Sequence, residues 1–214
     1  MDIYRRLLDA YGPQHWWPGE TTLEIIVGAI LTQNTSWSNV EKAIVNLKKH
    51  NCLTCEILHT LPAEELAPLI RSAGYFNIKA QRLKNFFNWL FTEHGGDLEP
   101  LFDLSPSVLR RQLLSVKGIG PETADSICLY AFNKPVFVVD AYTARVFGRH
   151  GLIEPGSGYD QIQDLFHGGL ERDAALFNEF HALIVRLGKE RCRPRPLCAG
   201  CPLEPLPHHI DPID

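Results

Sequence analysis

Residues 113–132 read LLSVKGIGPETADSICLYAF. The apolar spacing predicts one amphipathic helix ending near Leu114 and a second beginning at about Pro121. Between them lies Val116-Lys117-Gly118-Ile119-Gly120. Glycine reaches backbone angles that other residues avoid, so Gly118 and Gly120 predict a very tight turn. Such a turn leaves N–H groups free at the start of the second helix, which suits a phosphate. Ile119 is expected to plug the space between the two helices. Two glycines without side chains would let a nucleic-acid backbone approach closely, with Lys117 beside them. Taken alone, the pair equally fits a helical hairpin with no ligand.

Outward from this hairpin the pattern is helical almost throughout. MDIYRRLLDAYG (1–12) reads as a short amphipathic helix. Thr21 or Thr22 caps the run LEIIVGAILTQ, with Glu24 placed for a capping box. Residues 38–50 show a stripe of Val40, Ala43, Ile44 and Leu47. Pro62 starts AEELAPLIRSA, and Gly74 ends it. Residues 79–92 carry Leu83, Phe86, Phe87 and Leu90 on one side. Ser105-Pro106 is a helix start. Further helices fit residues 142–149, 159–167 and 174–188. Val136–Val139 is apolar but too short and isolated to argue for a sheet. The tail from Cys192 is proline-rich and irregular. The expectation is an all-α chain of about ten helices with short loops.

The chain has 214 residues, 45% of them hydrophobic and 21% charged. That supports a sizeable core and argues against disorder. No apolar run reaches membrane-spanning length, and the first residues lack the apolar core of a signal peptide. A cytoplasmic location is expected, nucleoid-associated in a prokaryote, without membrane partners. The net charge of −4 counts against coating DNA by bulk charge. The charge is uneven, however. Residues 105–150 carry six basic and three acidic side chains, whereas residues 151–214 carry six basic and ten acidic. A basic face around mid-chain and ordinary surface variation both fit. Of the six cysteines, Cys128 lies in an apolar helical run and reads as core, and the Cys52/Cys55 pair reads as incidental.

Asp140 follows Glu122 by eighteen residues, in FVVDAYTARVFGR (137–149). A carboxylate at a helix start is often a cap. Yet LLSVKGIGPETAD together with VFVVDAYTARVFGR resembles the helix-hairpin-helix and Gly/Pro-Asp region of the endonuclease III superfamily. The likeness covers most of the chain. ILTQNTSWSNVEKAIVNL (30–47) resembles the family's early helix pair. GYFNIKAQRL (74–83) is similar to its GLYxxKA segment, and HALIVRLGKERC (181–192) to its last helix before a metal loop. WWP (16–18) with GAILTQNTSW and GIGPETAD most resembles the 3-methyladenine DNA glycosylase III branch.

The resemblance implies two helical lobes with a central cleft. Residues 21–133 would form the lobe carrying the helix-hairpin-helix (105–132). Residues 1–20 plus 134–191 would form the second, and 192–209 a cysteine-containing loop. It implies a monomer that flips a damaged base out of double-stranded DNA and cleaves its N-glycosidic bond, as base-excision repair requires. Asp140 falls on the catalytic aspartate, which stabilises positive charge on the sugar and orients water. Strand-cleaving members carry a lysine where this chain has Glu122. Glutamate cannot form an imine, so a glycosylase without lyase activity is expected. Trp16, Trp17, Pro18, Trp37 and Glu122 are candidates for the base pocket, where aromatic faces suit a cationic purine such as 3-methyladenine. Gln33 falls on the residue that fills the gap left by the flipped base, and Tyr75 on a wedge position. Lys79, Arg82 and Arg145 are candidates for phosphate contact.

The family's iron–sulfur loop is spaced C-x6-C-x2-C-x5-C. Here Cys192, Cys198 and Cys201 match three positions, with a first gap of five, and the fourth position is Pro207. His208 or His209 is the nearest substitute ligand. A [4Fe–4S] cluster, its loss, and zinc held by three cysteines and a histidine stay open. So do other bases (oxidised pyrimidines, uracil, a mismatched base), retained lyase activity, and a non-catalytic DNA-binding protein on the same hairpin.

Overall fold

The computed structural model describes residues 1–210. In chain order the helices are α1 (Asp2–Tyr11), α2 (Thr22–Leu31), α3 (Trp37–Lys49), α4 (Cys55–Thr60), α5 (Ala63–Leu69), α6 (Phe76–His94), α7 (Glu99–Phe102), α8 (Pro106–Ser115), α9 (Pro121–Ser126), α10 (Ala141–Arg149), α11 (Tyr159–Gly169) and α12 (Ala174–Glu190). A 3-10 turn covers Arg71–Ala73, and α9 continues as a wider π-type turn over Ile127–Ala131. No strand occurs among the described residues, so the chain is all-α as its pattern predicts. It divides into two compact units: Pro18–Lys134, and Met1–Trp17 with the chain from Pro135 onward.

The unit of Pro18–Lys134 is built around α2. A helix apolar on every side must be buried on every side. Ile26, Val27, Ile30 and Leu31 are all fully buried. α2 packs against α3, α6, α9 and the π-type turn. At its start, Thr21 Oγ1 accepts from the Glu24 N–H at 3.2 Å. Only half of the expected capping box forms. The Glu24 carboxylate accepts from the Glu20 N–H and pairs with Lys48 at 2.9 Å. A buried carboxylate needs a counter-charge more than a cap.

In the other unit, α1 and α10 pack on α12. Phe137, Phe166, Phe177 and Phe180 form its aromatic core, with Phe137 and Phe166 stacked at 3.7 Å between ring centroids. The α10–α12 approach is close. A Cβ on Gly188 of α12 would lie 2.4 Å from the Tyr142 ring of α10. Only glycine fits there.

Two expectations need correction at their edges. The helix expected from residue 79 begins at Phe76, after Tyr75 in a left-handed conformation. AEELAPLIRSA is broken at Ile70 into α5, which contains Pro68, and the 3-10 turn Arg71–Ala73. Short helices α4 and α7 lack the length for a legible apolar stripe.

Candidate active site

Val136–Val139 lies in no helix or strand, and its side chains are buried. Its polar groups therefore need other partners. One face of α11 supplies them. The Phe137 N–H donates to His167 Nε2 at 3.0 Å, and the Val139 N–H to the Tyr159 hydroxyl at 3.2 Å. Gln163 Nε2 donates to the Phe137 carbonyl at 2.6 Å. Residues 159, 163 and 167 recur every four positions, so all three face one way. This brace delivers Asp140 to the start of α10.

Asp140 is the N-cap of α10. Its Oδ1 accepts from the Thr143 N–H at 2.7 Å and the Thr143 hydroxyl at 2.9 Å. The capping reading is thus correct for one oxygen. The other, Oδ2, lies 3.5 Å from Nε2 of His181 on α12. The Asp140 side chain is 13% exposed. Burial pushes its carboxyl pKa up, but His181 and the two Thr143 donors outweigh this and leave it below the usual carboxylate value. The result is a carboxylate anion at neutral pH.

Trp16 and Trp17 belong to the same unit as Asp140. Their rings meet edge to face at 5.5 Å, both half-buried. The Lys189 ammonium lies 5.7 Å over the Trp16 ring. Pro18, Trp37 and Glu122 belong to the other unit. Trp37 opens α3, and Glu122 is exposed in the first turn of α9, where its charge favours the helix dipole.

The hairpin forms as its sequence predicts, with one exception. Gly118 has φ +96°, and a Cβ there would meet Arg82 Cγ at 2.6 Å. Glycine is required on both counts. Gly120 has φ −93° and ψ 178°, ordinary extended backbone, so the turn does not need it. A Cβ at Gly120 would meet nothing within 4 Å, so glycine keeps that side open. Ile119 is 5% exposed, the expected plug. Arg110 of α8 grips Asp125 of α9 with Nε–Oδ1 at 2.7 Å and a second bond at 3.3 Å, tying the two helices together.

Gln33 and Arg82 join this hairpin. Gln33 Nε2 donates to the Gly118 carbonyl at 3.2 Å and to Thr123 Oγ1 at 2.8 Å, while Arg82 donates to Gln33 Oε1. Asn85 Nδ2 donates to the Lys117 carbonyl at 2.8 Å, and the Lys117 side chain stays exposed. Tyr75 is 70% exposed at a loop tip.

Two phosphate candidates are engaged inside the protein. Lys79 is 1% exposed. Its ammonium donates to the Leu31 carbonyl at 2.9 Å and the Ala73 carbonyl at 2.7 Å, closing the ends of α2 and the 3-10 turn. Burial, with Arg82 nearby, lowers its pKa to about 8. A side chain so enclosed does not reach a phosphate. Arg145 donates through Nε to the Cys192 carbonyl at 2.6 Å and through Nη2 to the Gly188 carbonyl at 3.2 Å. It holds the end of α12 to the cysteine loop.

Cys192, Cys198 and Cys201 line one cavity of about 20 Å³, with His150, His208 and His209 also on its wall. Arg149 donates to Cys192 Sγ at 3.3 Å and to the carbonyls of Arg193 and Pro194. The fit to a four-ligand cluster is incomplete. Three thiols are present, and Pro207 at the fourth position has no ligating side chain. No three His, Cys, Asp or Glu side chains converge on a metal-sized site among the described residues. Cys128 is a different case: burial, chiefly, pushes its thiol up to about 12, and it is inert core.

Residues 27–172 match the model of the HhH-GPD superfamily base excision DNA repair proteins. The chain belongs to this superfamily. As an HhH-GPD protein it is a DNA glycosylase of base-excision repair, acting on N-glycosyl bonds. It is 48% identical over 203 residues to a Methanocaldococcus jannaschii protein whose name assigns it provisionally to the DNA repair glycosylases, covering 94% of this chain and 92% of that one. It is 27% identical to endonuclease III of Thermotoga maritima, over 83% of this chain and 78% of that one. Among solved structures, the H. pylori 3-methyladenine DNA glycosylase bound to 1,N6-ethenoadenine superposes with TM-score 0.77 at 30% identity, over 88% of this chain and 96% of that one. A trapped endonuclease III–DNA covalent intermediate gives TM-score 0.82 at 21% identity, over 95% and 91%, a likeness of fold.

Sequence reasoning missed His181, Thr143 and the α11 brace. His181 left a signal, since it sits among Phe177, Phe180, Ile184 and Val185 at helical spacing. The brace left none, because its partners are a helix and a non-repetitive segment twenty or more residues apart.

Proposed function

We propose that this HhH-GPD protein is a monofunctional glycosylase that removes an alkylated purine of the 3-methyladenine kind from double-stranded DNA by hydrolysis. The observation that carries this reading is Asp140, an anion with one oxygen fixed by Thr143 and the other beside His181.

A 3-alkylated purine is cationic in the nucleotide. When its C1′–N bond breaks, the bonding pair returns to the base, which leaves neutral without needing a protein acid. Positive charge builds on the sugar, and a carboxylate nearby stabilises it. A water oxygen bonds to C1′, and its proton passes to Asp140. The products are a free base and an abasic sugar. The Trp16–Trp17 pair offers aromatic faces to such a cation. The Lys189 ammonium lies over the Trp16 ring at 5.7 Å. Glu122 stands where an imine-forming lysine would be needed, so the strand stays intact. The bound ethenoadenine of the H. pylori enzyme, a modified purine, supports the same substrate class.

The test is base release from methylated duplex DNA by the parent and Asp140→Asn, with strand breaks scored before any alkali. Release of 3-methyladenine by the parent alone, on intact strands, is expected. Release of uracil or an oxidised pyrimidine in its place overturns the substrate class. Breaks without alkali overturn the monofunctional reading. If the parent releases no base at all, the chain is a DNA-binding relative without chemistry.

A further inference from the structure

We propose that His181 is a positioning residue for Asp140, holding the carboxylate oxygen that the helix cap leaves over. This rests on Asp140 being the catalytic carboxylate.

The argument begins with the number of lone pairs. A carboxylate has about four lone-pair sites. Thr143 takes two contacts, both on Oδ1. These fix where Oδ1 sits but leave the carboxylate plane poorly determined, because both donors belong to one residue on one side. Nε2 of His181 approaches Oδ2 from α12 at 3.5 Å. A third point of contact, from a different helix, sets the plane. Oδ2 then keeps its remaining lone pair for water or for the sugar.

The imidazole is itself well determined. His181 is 5% exposed, and its ring stands edge-on to Phe137 at 6.3 Å between centroids. Phe137 stacks on Phe166 and is held through its own backbone by His167 and Gln163. The tight passage of Gly188 against Tyr142 fixes the α10–α12 distance. At 3.5 Å the contact is longer than an optimal hydrogen bond, as unliganded sites commonly are before substrate tightens them. A histidine kept only for packing would not need to present Nε2 to the one oxygen the cap does not use.

A carboxylate free to rotate spends less time in the productive orientation. Misplacement on the ångström scale costs ~100-fold in rate. The experiment measures single-turnover base release at saturating enzyme, and DNA binding separately, for the full-length parent, His181→Phe and His181→Gln. Phenylalanine keeps the volume and loses the donor, while glutamine keeps an N–H near the Nε2 position. His181→Phe should lose ~10- to 100-fold in the saturating rate, with its DNA dissociation constant within about twofold of the parent's. His181→Gln should recover most of that rate. Three results overturn the proposal: a parental rate in His181→Phe, an equal loss in both variants, or a loss that appears in binding rather than rate. If His181→Phe does not fold, the saturating rate of His181→Gln decides, since a tenfold loss there despite parental binding rejects an N–H donor role. If Asp140→Asn retains the parental rate, the catalytic assignment fails first, and this result is distinguishable from any His181 outcome.

Discussion

Lys79 shows how one side chain can look like one thing and be another. It lies in a GYFNIKAQRL segment rich in donors, which suggests phosphate contact. In the fold it is a strut, with its ammonium closing two helix ends. The sequence did contain the correction. Lys79, Leu83, Phe86 and Leu90 recur at intervals of four, three and four, so Lys79 sits on the buried stripe of α6. Lys79→Met keeps the volume and orphans the Leu31 and Ala73 carbonyls. Leaving buried acceptors unpaired should cost about 1–3 kcal/mol each, offset in part by relief of the buried charge. Urea unfolding should show a net loss of about 1–3 kcal/mol. The salt dependence of DNA binding should stay as in the parent, because no phosphate contact is lost. A flatter salt slope with unchanged stability would return Lys79 to the DNA interface. Asp140 is the opposite case: its place at a helix start already reads as a cap, as the structure has it, and only the family likeness makes it a candidate for chemistry.

At the scale of elements, the hairpin was legible because its constraints are local. Gly118 needs a positive φ, Ile119 needs to be apolar, and Pro121 opens a helix, all within six residues. What joins α8 to α9 was not legible. Arg110 and Asp125 are fifteen residues apart, and each looks like a surface charge in sequence. In the fold Asp125 is fully buried, and Arg110 keeps it neutralised by a two-pronged grip. Arg110→Met removes this counter-charge from a buried carboxylate, so a loss of about 3–5 kcal/mol is expected in denaturant unfolding. The double variant Arg110→Met/Asp125→Leu should recover a substantial part, since an apolar pair of similar volume replaces the ion pair. If the double variant is no better than the single, the buried Asp125 charge is not what costs stability. Lys117 and Gly120 should be indifferent to both changes, because the turn geometry depends on Gly118 and its carbonyl bond to Gln33.

For the whole molecule, the charge balance and the absence of strands among the described residues were legible from the pattern of residues. The joining of the chain's first seventeen residues to its last third is a long-range fact. Arg186 of α12 donates to the Tyr11 carbonyl at 3.0 Å and lies over the Tyr11 ring at 4.6 Å, so α1 braces the helix that carries His181. Stability of the molecule as a whole is linked to Asp140 through protons. Its folded pKa lies below the ordinary 3.8. The unfolded chain therefore binds the proton first as pH falls, and the stabilisation is present above that value and lost on descending through it. In Asp140→Asn this dependence is missing. The stability difference between parent and variant should hold steady at neutral pH and close between about pH 5 and pH 2. A difference that stays constant across that window would mean the carboxylate gains nothing from His181 and Thr143.

The brace from α11 has a consequence in time. The amide protons of Phe137 and Val139 are tied to a histidine nitrogen and a phenol, not to carbonyls of a ladder or a helix. No unwinding of α10 or α12 is needed to free them. Lifting α11 alone does it, and the same motion releases the peptide leading to Asp140. Isotope exchange at these two amides thus reads how often the Asp140 carboxylate loses its footing while the rest of the chain stays folded.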